Sequence, residues 1–244
     1  MKFSLIAASA VVASLMACQP APRGAGDPFA GKTFSVLGDS YSTFMGTMSP
    51  DTNYVWYDTA QVRRGGTDVD AAAQMWWSLL ADSLGMKMVQ NNSFSGSTIG
   101  YHGYDDDKDG QPDDFSDCAF ITRMTNLVPS DFIFVFGGTN DSWSGAPAGS
   151  YGAEAADSLF SFRPAMRKLL CGLKDLHPEA KVYVIINSEL RSEIAGSEQA
   201  LADECGVPYV VLYDVDKHWG HPTRAGQKAI AEQVARALIR TEAR

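Results

Sequence analysis

The sequence predicts an α/β domain whose parallel sheet is covered on both faces, and three observations carry that expectation. Short apolar runs of strand character alternate with stretches at helical spacing. No linker interrupts the alternation after residue 30, and the about 215 residues that follow suffice for one domain with a sizeable core. The first strand is Thr33 to Leu37, followed by Lys87 to Asn91, Phe132 to Phe136, Lys181 to Ile186 and Tyr209 to Tyr213. Between the first two lies Ala71 to Leu84, where Met75, Trp76, Leu79, Leu80 and Leu84 recur on one helical face. A longer stretch running to Leu176 contains Pro164, which starts or kinks a helix because it has no N–H to give. The last helix opens with Pro222 and buries Ile230, Val234 and Leu238. Five strands in this rhythm suit a flavodoxin-like three-layer α/β/α sandwich.

The amino terminus stands apart. Lys2 followed by the apolar stretch Leu5 to Met16 reads as a signal peptide over residues 1–17, and says nothing about fold. Leu15-Met16-Ala17-Cys18 looks like a bacterial lipobox, after which Cys18 becomes a lipidated amino terminus. Residues 18–30, rich in Pro, Gly and Ala up to Asp27, read as a tether to a domain over 31–244. The chain is therefore expected to be exported and lipid-anchored to a bacterial membrane, facing the periplasm or the cell surface, with that anchor as its sole membrane contact. A net charge of −9, with no basic patch or stripe, argues against a nucleic-acid partner and favours a neutral or modestly charged substrate. Cys118, Cys171 and Cys205 lack the paired spacings of zinc sites. They allow one disulfide with one thiol over, but Cys171 and Cys205 lie in helix-like, partly apolar stretches and read as small buried side chains.

Chemistry enters through four blocks. Gly38-Asp39-Ser40 follows the first strand, Asn91-Asn92-Ser93-Phe94-Ser95-Gly96 the second, and Gly137-Gly138-Thr139-Asn140-Asp141 the third; Gly220-His221-Pro222 comes near the end. Groups that follow successive parallel strands share the carboxyl edge of the sheet and can converge. In this order the blocks resemble the SGNH/GDSL hydrolases, serine esterases that carry Ser, Gly, Asn and His in four separate segments. The resemblance implies the SGNH hydrolase fold, Ser40 as nucleophile and His221 as base. It also implies an oxyanion hole made by the backbone N–H groups of Ser40 and Gly96 and the side-chain amide of Asn140. These are suitable donors, because a glycine N–H is unhindered and an amide donates without a charge that must be desolvated.

The third triad member departs from the family pattern Asp-x-x-His, since the position three before His221 is His218. Asp216 is the first substitute, with Asp214 and Glu189 as further carboxylates and a Ser-His dyad completed by a backbone carbonyl as the remaining arrangement. An acid is wanted because an imidazolium at a helix amino end meets the positive end of the dipole. His218 with His221 makes only a weak metal pair.

Two further features invite functional readings. Asp105, Asp107 and Asp109 alternate before Gly110 and are followed by Asp113, a spacing that suits a structural calcium loop, although Ser116 stands where an EF-hand has its bidentate Glu. A solvated acidic loop is the plainer reading. Tyr41, Phe44, Tyr54, Trp56 and Tyr57 crowd the connection after Ser40; such faces can wall a sugar site or pack a long loop, and packing is expected of Trp76 and Trp77. The reading is an exported serine esterase that removes acyl groups, foremost acetyl, from carbohydrate through an acyl-serine, with no cofactor required. An acylated small molecule or glycan is its expected partner. Lipid esters and thioesters are alternative substrates, and a catalytically weak or inactive glycan-binding lipoprotein on the same scaffold is the alternative of another class.

Overall fold

The computed structural model describes residues 28–152 and 156–242; the expected signal peptide and the lipidation residue Cys18 lie outside these residues. Five strands, β1 (Thr33–Gly38), β2 (Lys87–Asn91), β3 (Phe132–Gly137), β4 (Lys181–Ile186) and β5 (Tyr209–Val211), form a parallel sheet in the order β2-β1-β3-β4-β5. The helices are α1 (Thr59–Arg64), α2 (Trp76–Leu84), α3 (Phe120–Arg123), α4 (Thr139–Trp143), α5 (Phe162–Leu176), α6 (Ser192–Cys205) and α7 (Arg224–Glu242).

Side-chain alternation along each strand divides the core in two. Phe34, Val36, Phe132, Phe134, Phe136, Tyr183 and Ile185 meet Trp76 and Leu80 of α2 and Ile230, Val234 and Leu238 of α7 on one face. Leu37, Ile133, Val135, Val182, Val184 and Ile186 meet Leu169, Leu170 and Leu173 of α5 and Leu201 of α6 on the other. This is the three-layer sandwich that the strand and helix rhythm predicts. From β1 the chain crosses to β2 on one side and then returns to β3 on the other, so the topological switch lies between β1 and β3. Ligands of open α/β sheets bind in the crevice outside the carboxyl ends at such a point.

Some boundaries differ from expectation, each for a local reason. Phe29, inside the expected tether, is buried against Phe132 with ring centroids 6.1 Å apart, so packing begins two residues before the expected boundary. Ala71 to Leu84 is a 3-10 turn at Ala72–Gln74 followed by α2. The fifth strand stops at Val211, and Tyr213 beyond it is exposed. The last helix starts at Arg224 because Pro222 is taken up by a hairpin; Thr223 caps the helix instead, its hydroxyl accepting the Gly226 N–H at 3.2 Å. Pro164 falls in the first turn of α5, where a missing N–H costs nothing.

Cys171 and Cys205 are not separate buried thiols: they form a disulfide with Cα atoms 5.6 Å apart, joining α5 to the end of α6, while Cys118 is free. Closing a loop across 34 residues restricts the unfolded chain. The Cys171→Ser/Cys205→Ser variant should therefore lose about 2–4 kcal/mol of stability and melt on the order of 10 °C lower, measured by thermal denaturation without reductant. An unchanged Tm would show that the α5–α6 contact holds without the bond.

Candidate active site

The end of β1 is built to present one hydroxyl. At Gly38 a Cβ would lie 2.6 Å from Ser93 Oγ and 2.7 Å from Ser42 Oγ, so only glycine lets the first two blocks close on each other. The chain then turns into a 3-10 turn, Ser40–Ser42, capped by Asp39, whose carboxylate accepts the Tyr41 N–H at 3.0 Å. Burial lifts the Asp39 carboxyl to about 7, against the pull of that N–H, the Thr139 hydroxyl and the Arg123 cation. Asn91 ties the second block to this turn by donating to Ser42 O at 2.9 Å. The Trp76 and Trp77 indoles donate to Ser42 Oγ and Ser42 O, both at 3.0 Å, which makes them supports of the turn.

His221 reaches Ser40 from the far end of the chain. Lys217–His218 (β6) and His221–Pro222 (β7) pair antiparallel around Trp219-Gly220, and both turn residues have positive φ, +48° and +76°. Such turns match the twist of a two-residue hairpin. The Tyr41 hydroxyl donates to Gly220 O at 2.6 Å and the Tyr57 hydroxyl to Pro222 O at 2.7 Å, pinning the hairpin over the sheet edge. His221 Nε2 then lies 3.0 Å from Ser40 Oγ, and Nδ1 lies 3.1 Å from Trp219 O. A carbonyl only accepts, so Nδ1 carries the proton and Nε2 is free to take one from the serine.

Among the described residues no carboxylate hydrogen-bonds to His221, which corrects the assignment of Asp216. Asp216 is exposed, and its carboxylate accepts the hydroxyl of Thr223, thereby supporting the cap of α7. Asp214 is exposed at φ +50°, and Glu189 pairs with Lys217 Nζ at 2.8 Å. The imidazole is held by rings instead. Trp56 stacks on it with centroids 3.6 Å apart at 7°, and Tyr41 and Trp143 approach it edge-on at 5.5 and 5.8 Å. Burial pushes the His221 imidazolium down to about 4, the Trp219 carbonyl opposes this, and the nearby Lys217 cation adds to it.

Gly96 and Asn140 come to the same edge. Gly96 has φ +87°, a conformation that favours glycine, with open space where a Cβ would stand. Among the described residues, neither the Ser40 N–H nor the Gly96 N–H has a protein acceptor. The Asn140 side-chain amide donates to Ser97 O at 2.9 Å, which leaves its second N–H uncommitted.

Arg123 and Asp141, which sequence reasoning did not single out, hold these pieces together. Arg123 is buried and donates to Gly38 O at 3.1 Å, Ser97 Oγ at 2.9 Å, Cys118 O at 2.7 Å and also to Asn92 O. Asp141 accepts the Ile99 N–H at 3.0 Å, and burial lifts its carboxyl to about 7. An arginine inside the apolar turn Phe120–Met124 was the available signal for the first.

The acidic loop is only partly gathered. Asp105, Asp107 and Asp109 bring carboxylate oxygens within 4.8 Å of one another, all exposed, and Asp113 is not among them. Each of the four already accepts a backbone N–H of its own loop, from Gly110, Asp109, Gln111 and Asp106 respectively, as a solvated acidic turn does. The four-carboxylate calcium set is thus not assembled. His218 is exposed with its ring against Trp219, and among the described residues neither it nor His221 joins a group of candidate metal ligands.

Residues 32–238 match the family of GDSL-like lipases and acylhydrolases. No match was found among curated proteins. A protein described as a GDSL-like lipase from Bacteroides uniformis is 42% identical, with 85% of this chain and 95% of its own aligned at a TM-score of 0.80. A second, from Bacteroides ovatus, is 39% identical over 87% and 99% at 0.78. A family two carbohydrate esterase from Clostridium thermocellum, solved in complex with cellohexaose, shares the fold at 13% identity, with 88% of this chain and 66% of its own aligned at 0.55.

The ring cage makes a prediction independent of turnover. Followed by NMR, the imidazole of His221 should stay neutral until the pH falls to about 4, and Trp56→Ala, which opens one face to water, should raise that midpoint toward the ordinary 6.5. An unperturbed midpoint in the parent protein would mean that the site is wetter than its geometry.

Proposed function

Because the chain belongs to the GDSL-like lipase/acylhydrolase family and is an SGNH-type ester hydrolase, we propose that Ser40 and His221 form its catalytic dyad and that its substrates are acetyl esters on carbohydrate. The observation that carries the dyad is the line Ser40 Oγ, His221 Nε2, His221 Nδ1, Trp219 O, with 3.0 and 3.1 Å at its two hydrogen bonds. His221 takes the Ser40 proton as the oxygen attacks the ester carbonyl. The developing oxyanion receives the N–H groups of Ser40 and Gly96 and the free N–H of Asn140. His221 returns the proton to the departing alcohol, and a water activated by the same nitrogen releases the acyl group from the serine. The Trp219 carbonyl fixes the tautomer and stabilises the imidazolium with a dipole where a triad uses a charge. This family chemistry needs no cofactor.

Carbohydrate is supported by the exposed rings near the site. Tyr54 stands against Phe94, two residues before Gly96, and Trp143 stands beside His221; tyrosine and tryptophan faces suit the apolar faces of sugar rings. The likeness to the Clostridium thermocellum enzyme speaks to the scaffold alone. A weakly active glycan-binding protein is the second reading, favoured by the missing carboxylate at His221. Export and lipidation at Cys18 belong to the same proposal, supported by Leu15-Met16-Ala17-Cys18.

Ser40→Ala should abolish hydrolysis of a short-chain ester with the fold unchanged, and Asn140→Ala should lower kcat by about 10² to 10³ with little change in KM. Asp216→Asn should stay within about threefold of the parent, as surface changes usually do; a hundredfold loss would restore it as the triad acid. Since the base must be unprotonated, the His221 limb of the kcat/KM profile should fall as pH passes through about 4, separate from any step near 7 contributed by Asp39 and Asp141. Turnover of acetylated sugars above short aryl esters supports the deacetylase; retention of glycan with negligible turnover favours the binding protein. Cys18→Ser should release an active enzyme from membranes, and an unmodified mature amino terminus by mass spectrometry would remove the lipid anchor.

A further inference from the structure

We infer that Tyr104 is a positioning residue for the oxyanion amide, and that the acidic hairpin beside the site exists to present it. The inference rests on Asn140 being an oxyanion donor. An asparagine side chain has one acceptor and two N–H donors, and here both ends of the amide are occupied. Oδ1 accepts the Tyr104 O–H at 2.8 Å, and Nδ2 donates to Ser97 O at 2.9 Å. One N–H is left, and its direction follows from the other two bonds.

The torsion that swings an amide about its last bond is broad, so a single hydrogen bond at Nδ2 leaves the plane free to rock. A second bond at Oδ1 removes that freedom. The Ser97 carbonyl, which can only accept, sets which end is which, since the flipped amide would place Oδ1 against it. A donor on Oδ1 further polarises the amide and strengthens the N–H that meets the oxyanion.

Tyr104 is itself held in place. Gly103 N–H donates to Asp113 O at 2.8 Å and Asp113 N–H to Tyr104 O at 2.7 Å, which closes the base of the hairpin that carries Asp105, Asp107 and Asp109 at its tip. The Tyr104 ring packs on Phe115 with centroids 6.1 Å apart. At Gly103 a Cβ would stand 2.3 Å from Phe115 Cδ1, so the base of this hairpin closes on a glycine. Burial and the Asp39 and Asp141 carboxylates raise the Tyr104 phenol above its ordinary value, so it stays a donor across the working pH range.

The test is a double-mutant cycle on the full mature chain with p-nitrophenyl acetate. Tyr104→Phe keeps the ring on Phe115 and removes only the hydroxyl. It should lower kcat about tenfold with KM and Tm unchanged, the loss expected of one hydrogen bond acting on the transition state. In the Asn140→Ala background the same change should do nothing further, because its partner is gone. A merely structural tyrosine would lower Tm or act equally in both backgrounds. Parent-like kcat in Tyr104→Phe beside a crippled Asn140→Ala overturns the Tyr104 inference and leaves the oxyanion assignment standing. Parent-like kcat in Asn140→Ala overturns both, and a raised KM in Tyr104→Phe alone would make Tyr104 a substrate contact instead.

Discussion

The buried guanidinium of Arg123 is the constraint on which the site depends. It donates to Gly38 O at the end of β1, to Asn92 O just past β2, to Cys118 O, and to the hydroxyl of Ser97, next to Gly96. A buried cation is costly unless its donors are satisfied, and here backbone oxygens do the satisfying. Burial lowers Arg123 to about 9, so the group is still charged at neutral pH. The same bonds fix the distance between the serine turn and the loop of Gly96. They add to the backbone bonds that carry the β1–β2 pairing past its last register pair, Asn92 N–H to Val36 O at 2.8 Å and Phe94 N–H to Gly38 O at 3.0 Å.

On the other side of Ser40, the hairpin at Trp219-Gly220 has a comparable role with different physics. Its two positive-φ residues turn the Trp219 carbonyl onto the imidazole, and Tyr41 and Tyr57 hold it to the sheet edge through their hydroxyls. Stacked rings replace the orienting function of a carboxylate. They also exclude water, which is why the imidazole is less basic than usual. A base of this kind gives up proton affinity and keeps its neutral form over a wider range of acidity. Lys217, turned inward and paired with Glu189 and Asn187, adds to the same bias.

Asn140 connects the two halves. Its helix α4 begins directly after β3, the central strand, and Asp141 beside it grips the Ile99 N–H. The loop carrying Gly96 is thereby held by Arg123 from one side and by Asp141 from the other. Both groups are charged or chargeable and buried, and each spends its hydrogen bonds on loop backbone near the oxyanion site. Rigid backbone donors need such a frame, since a donor that must reorient as charge develops loses most of its value.

The sequence by itself determined the sheet, the two apolar faces of its strands, and the placement of Ser40, Gly96 and Asn140 at one edge. Periodicity reports burial directly, and in a parallel sheet every strand ends on the same side. Tertiary structure alone decided the rest. Whether Asp216 or a carbonyl meets His221 depends on the φ angles of Trp219 and Gly220, and a glycine or tryptophan in sequence does not announce them. The Cys171–Cys205 bond required α5 and α6 to be neighbours, a fact of packing rather than of spacing. Arg123 and Trp56 gained their roles from partners 85 and 165 positions away, Gly38 and His221, and contacts of that separation are set by how the layers close.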